Sequence, residues 1–181
     1  MPVKLGAKTE HDFDQPLGLL SDCHRLIENF LGVLLRVAAI GSDQPLTQQQ
    51  RDALTVALRY FDSAAPRHTA DEEESLFPRM RQLDDPRVRQ AMAKLDDLEA
   101  DHQRADAAHK EVDTIGRTWL EQGTLAAPQL DRLKQLLQML RELYQHHIQI
   151  EDNEIFPLAG QVLACDQVQH IGREMAKRRG H

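Results

Sequence analysis

Cysteine is scarce: Cys23 and Cys165 are the two in 181 residues, too far apart in sequence to read as a paired motif. That excludes a disulfide framework and a thiolate metal knuckle. Aromatic residues make up only 4%, and acidic residues outnumber basic ones 29 to 22, for a net charge of −7. The electrostatic footprint of a nucleic-acid binder is therefore missing. No apolar run approaches the roughly 18–20 residues of a membrane span. The opening Met1-Pro2-Val3-Lys4 lacks the charged-then-apolar layout of a secretory signal, so the cytoplasm is the expected location. The length suits one domain, or one domain with a tail.

What is present is helix-forming: leucine, alanine, glutamine, glutamate and arginine dominate, with β-branched residues scattered. Turn signals at Gly41-Ser42-Asp43-Gln44-Pro45, Asp84-Asp85-Pro86 and Gln122 through Pro128 cut the chain into four long segments. Each carries apolar residues three and four apart. The first stripe runs Leu17, Leu20, His24, Ile27, Leu31, Leu34, Ala38, and the second Leu54, Leu58, Phe61, Ala65, His68, Glu72, Leu76. The third runs Leu95, Leu98, His102, Ala105, His109, Val112, Trp119, and the fourth Leu130, Leu133, Leu137, Leu140, Leu143, His147, Glu151, Leu158. Pro66 should kink the second segment or end a half-helix. The pattern predicts an all-α, up-down-up-down four-helix bundle over residues 16–163. Residues 1–15 read as an arm, and 164–181 as a tail with a short basic fifth helix at 165–178 bearing Ile171 and Met175 on one side.

Histidine is plentiful, nine in all. Each stripe places one where the repeat reserves an apolar residue, and in the second and fourth a glutamate follows four residues on, on the same face. Burying six such groups without partners would be very costly, and a metal satisfies them together. The text also repeats: His68 to Glu72 leads to Phe77-Pro78, and His147 to Glu151 leads to Phe156-Pro157. The spacing from His24 to His68 is 44 residues and from His102 to His147 it is 45, as in a duplicated helical hairpin. Midpoints of successive histidines fall at positions 46, 85 and 124.5, at or beside the three turns, so all four should share one level. The predicted metal ligands are His24, His68, Glu72, His102, His147 and Glu151.

On these residues the chain resembles the hemerythrin-like HHE cation-binding family, over about residues 15–160. The matching motifs are Asp22-Cys23-His24, His68 through Glu72 to Phe77-Pro78, Asp101-His102, and His147 through Glu151 to Phe156-Pro157. The resemblance implies a non-haem centre, usually of two irons with bridging carboxylates, serving oxygen binding or iron, oxygen, nitric oxide or redox sensing. Oxygen carriers of the family place a second histidine one turn after the first on the third helix. Here that position is Asp106, which argues against reversible oxygen carriage.

The donor set exceeds a four-ligand structural zinc site and suits two iron-like ions, with other divalent metals as substitutes. Asp106 is weighed evenly as a ligand or as a charge elsewhere. Glu73 is a candidate to support a ligand from behind. His109, about 10.5 Å along the helix from His102, is too far for the same ion and suits a core or supporting role. Cys23 should point away from the metal, His146 should be exposed, and His11, His170 and His181 fall in tails where no ligand role is expected. Three classes stay open: a metal-binding sensor of a small oxidant, favoured over an enzyme; a redox enzyme consuming peroxide or nitric oxide; and an interaction module with structural metal, docking through Arg173–Arg179. The expected partner is a diatomic or peroxide ligand, not nucleic acid or membrane, and a homodimer is compatible with the sequence.

Overall fold

The structure is a computed structural model and describes residues 9–41 and 44–181. Residues 1–8 of the expected arm, and Ser42 and Asp43 of the first turn, lie outside the described residues. Those described are helical, with no strand among them. None of their helices is long and apolar enough to cross a membrane.

Helix α1 spans Pro16–Ala38, with proline in its first turn, where the missing N–H costs nothing. Helix α2 spans Gln48–Ser63 and opens with a capping box: the Gln50 N–H donates to Thr47 Oγ1, while Gln50 Oε1 accepts from the Thr47 N–H. The chain breaks at Ala64 and resumes as α3, Ala65–Ala70, with Pro66 in its first turn. A six-residue π-helical turn, Asp71–Leu76, links α3 to α4, Phe77–Arg81. Helix α5 runs unbroken from Pro86 to Gln122, capped by Asp85 and ended by Gly123 at φ 80°. Helix α6, Ala127–Ile150, passes through a second π-helical turn, Glu151–Ile155, into α7, Phe156–Val162. Helix α8 is Cys165–Arg178.

The two wide turns have one cause. Pro78 and Pro157 have no N–H to donate, and each ring would strike the carbonyl four residues back, of Glu74 or Asn153. The chain widens instead, so that the Phe77 N–H reaches the Glu72 carbonyl and the Phe156 N–H reaches that of Glu151, five residues back.

Helix α1 packs on α2 and α6, and α5 packs on the same two, so the four close a ring. Two apolar cores result. One joins Leu31, Leu34, Leu54, Leu58, Trp119 and Leu137; the other joins Leu20, Phe77, Leu95, Leu98, Phe156 and Met175. Most stripe residues are inward as expected, but Leu17, His109, Leu143 and Leu158 are not fully buried. Leu143 is only half-buried, and Tyr144 is the buried residue at that turn. A helix of 3.6 residues per turn drifts from a strict 3-4 rhythm, and here the drift brings the later residue inward. Helix α8 buries Ile171 and Met175. It crosses the arm at Gly172, where a Cβ would stand 1.9 Å from the Phe13 carbonyl oxygen. Its end is clamped to the first wide turn: Asp71, wholly buried, accepts from Arg178 at 3.0 Å and Arg179 at 2.6 Å.

Candidate metal centre

Between the two cores lies a polar layer. His24 arrives from α1, His68 from α3, His102 from α5 and His147 from α6, while Glu72 and Glu151 stand at the two wide turns. All six are buried. Their inward atoms form two groups, His24–His68–Glu72–Glu151 and Glu72–His102–His147–Glu151, each with donor atoms within 4.8 Å of one another. Both groups share the same two carboxylates.

The carboxylates reach across the layer. Glu72 Oε1 lies 3.3 Å from His68 Nε2 and 3.9 Å from His24 Nε2, and its Oε2 lies 3.3 Å from His102 Nε2. Glu151 Oε2 lies 3.1 Å from His24 Nε2 and 3.2 Å from His147 Nε2. Yet all four carboxylate oxygens and His24 Nε2 are buried without an aligned hydrogen bond. Orphaned polar atoms in an interior are expensive, and six converging nitrogen and oxygen donors without a thiolate fit a cation.

Acidic side chains stand behind three of the imidazoles. Asp152 Oδ1 is 3.0 Å from His24 Nδ1 and accepts from Ser21 Oγ at 2.8 Å. Glu73 Oε1 is 2.8 Å from His102 Nδ1, and Asp101 Oδ2 is 3.5 Å from His147 Nδ1. Asp152 and Glu73, at hydrogen-bond distance, fix the orientation of His24 and His102 and leave Nε2 free to bind. Asp101 stands near His147 as a charge without an aligned hydrogen bond. Neither His68 Nδ1 nor His147 Nδ1 has a hydrogen-bond partner.

Electrostatics follow from this crowding. Burial opposes a charge on His24, but Asp152 and Glu151 outweigh it and push its pKa up to about 10. His102, buried between Glu72 and Glu73, is likewise raised to about 10. Burial, with the charge of Glu151 added, raises Glu72 to about 7. Glu151 is also buried, but His147 and His24 hold it below the usual carboxylate range. Burial and the neighbouring His24 hold His68 neutral, well below 6.5.

The remaining sequence candidates fall outside the cluster. Asp106 is exposed and paired with Lys110 at 2.6 Å. His109 Nε2 lies 3.0 Å from the Tyr144 hydroxyl, its ring stacks on Phe61, and burial lowers its pKa to about 4. Cys23 is half-buried, its thiol pushed up to about 11 by burial. His146 and His170 are exposed, and His11 pairs with Asp22 at 3.1 Å. The sequence reading gave no role to Asp152 or Tyr144, and quoted Asp101 only as a neighbour of His102. For the two aspartates the signal was there: each adjoins a site residue.

A family model described as the hemerythrin HHE cation binding domain matches residues 15–159. An uncharacterized protein of Haemophilus influenzae (strain ATCC 51907 / DSM 11121 / KW20 / Rd) is 25% identical over 167 residues, covering 92% of this chain and 91% of its own length.

Proposed function

The chain belongs to the hemerythrin HHE cation-binding family, and from that premise we propose that it holds two non-haem irons and binds or senses a small oxidant. His24 and His68 would hold one ion and His102 and His147 the other, with Glu72 and Glu151 spanning both. The observation that carries this reading is that two four-donor groups share the same two carboxylates. Iron suits such a mixed nitrogen and oxygen set, and other divalent metals would take the same seats.

When bound, iron supplies open positions and electron exchange for oxygen, peroxide or nitric oxide. The chain's own residues do the rest. Asp152 and Glu73 hold His24 and His102 with Nε2 inward. Ile27, Ala65 and Ile148 line the small cavity beside the histidines with apolar surface. Asp106 pairs with Lys110 instead of supplying a further donor, which favours redox change over reversible oxygen carriage.

On this reading residues 16–163 form an up-down-up-down four-helix bundle, with an arm at 1–15 and a basic tail at 164–181. The protein works in the cytoplasm with a small ligand as its partner. A second reading, a redox enzyme consuming peroxide or nitric oxide, is favoured by a cavity of about 260 Å3 beside His102. The test is metal analysis and an optical spectrum of iron-loaded protein, reduced and then exposed to oxygen, peroxide or nitric oxide. Two irons per chain and a rapid spectral change are expected. A long-lived oxygenated form that releases oxygen under vacuum would overturn the redox reading, and an unchanged spectrum with every ligand would leave structural metal.

A further inference from the structure

We propose that Tyr144 and His109 together select the ligand: the Tyr144 hydroxyl donates a hydrogen bond into the layer of histidines and favours a small, strongly accepting species of the peroxide class. The proposal rests on the metal reading above.

Two cavities meet at Tyr144. The inner one, about 10 Å3, is lined by all four site histidines, Thr69 and Tyr144 among others, and has room for little more than one water-sized molecule. The outer one, about 260 Å3, extends past Phe61, Pro66 and His109 to the exposed Asp106. The two share Ala65, Thr69, His102 and Tyr144. A small molecule therefore has a route inward along the His102 side, and it passes the phenol.

The phenol is prepared for its task. Tyr144 is buried, and its oxygen lies 3.0 Å from His109 Nε2. His109 is neutral, stacked 4.1 Å from the Phe61 ring, and its Nδ1 has no partner. In the tautomer with the proton on Nε2, His109 donates to the phenol oxygen and leaves the Tyr144 O–H free to point elsewhere. Apart from the histidines and Thr69, the inner cavity offers that O–H only apolar wall. A peroxide or a comparable anion accepts a strong hydrogen bond there, whereas nitric oxide accepts a weak one. Tyr144 is thus a specificity residue, and His109 positions it.

The test uses the full-length, iron-loaded protein, titrated separately with azide as the accepting anion and with nitric oxide as the weak acceptor. Tyr144→Phe should weaken azide roughly tenfold or more, the range for losing a hydrogen bond to a charged acceptor. Iron content and nitric oxide affinity should stay at the parent values. His109→Phe should shift azide in the same direction by a smaller factor, and His109→Gln, which keeps an N–H for the phenol oxygen, should restore it. Azide affinity unchanged in Tyr144→Phe, or azide and nitric oxide weakened alike, overturns the proposal while leaving the metal reading intact. A parent protein that takes up no iron overturns both. Should Tyr144→Phe fail to fold, the two His109 variants carry the same comparison.

Discussion

Filling the stripped cluster with a divalent metal should expel protons, and their number follows from which groups face each other. Metal binding requires neutral imidazoles and ionised carboxylates. In the metal-free protein His24 and His102 keep their protons up to about pH 10, and Glu72 is half-protonated near pH 7. At pH 7 these three groups release roughly 2.5 protons, one from each histidine and about half from the glutamate. At pH 8.5 Glu72 is already ionised and the release drops to roughly two. Four independent histidines with ordinary pKa values near 6.5 would together give only about one at pH 7. Calorimetric titration with zinc in buffers of different ionisation enthalpy counts the protons from the slope. A count of one or fewer at pH 7 would refute the reasoning.

The same shifts set the stability of the metal-free fold. A histidine raised to about 10 contributes stability that is complete below 6.5 and lost as pH climbs through 10. Glu72, also raised, contributes below 4.5 and loses that contribution through about 7. His68 is held neutral and opposes folding below 6.5, so the trend is unmixed only above that pH. Near pH 8 the folded chain holds about two more protons than the unfolded one, so stability should fall by roughly 3 kcal/mol per pH unit.

Three other outcomes are expected. Glu72→Gln and Glu151→Gln, each removing a charge shared by both donor groups, should lower bound iron to one per chain or fewer, read by metal analysis. Asp71→Ala breaks a buried pairing with Arg178 and Arg179 and should cost about 3 kcal/mol, lowering the melting temperature by roughly 6–12 °C; a loss under about 0.5 kcal/mol in urea would show the clamp to be idle. Gly172→Ala drives a methyl against the Phe13 backbone and should cost about 1–3 kcal/mol, with proteolysis of the arm as a second readout.

Much of this was legible in the sequence because it depends on period and level. Stripes from Leu20 to Ala38 and from Leu54 to Leu76 needed only the helical repeat. The convergence of six groups needed only turns midway between successive histidines. Other features depend on facts that a one-dimensional pattern does not carry. Tyr144 displaces Leu143 because a small angular drift accumulates along α6, and a phenol is as acceptable inside as a leucine once His109 meets its oxygen. Asp152 gains its role from the direction of His24 Nδ1, which depends on side-chain rotamers. The repeated Phe-Pro was visible, but not that each proline widens the turn before it.

Each widened turn has a meaning in terms of inheritance. A π-helical turn holds about one residue more than an α-helical turn, so in genetic terms it is equivalent to a single-codon insertion. Deleting Glu74 or Asn153 would keep both His-x-x-x-Glu spacings and the downstream Phe-Pro, yet turn everything after it by about 100° around the helix axis. Phe77 and Phe156, both buried now, would swing off the core. Alignments of related chains should therefore keep these two stretches free of gaps, even where the loop around residues 123–126 varies in length.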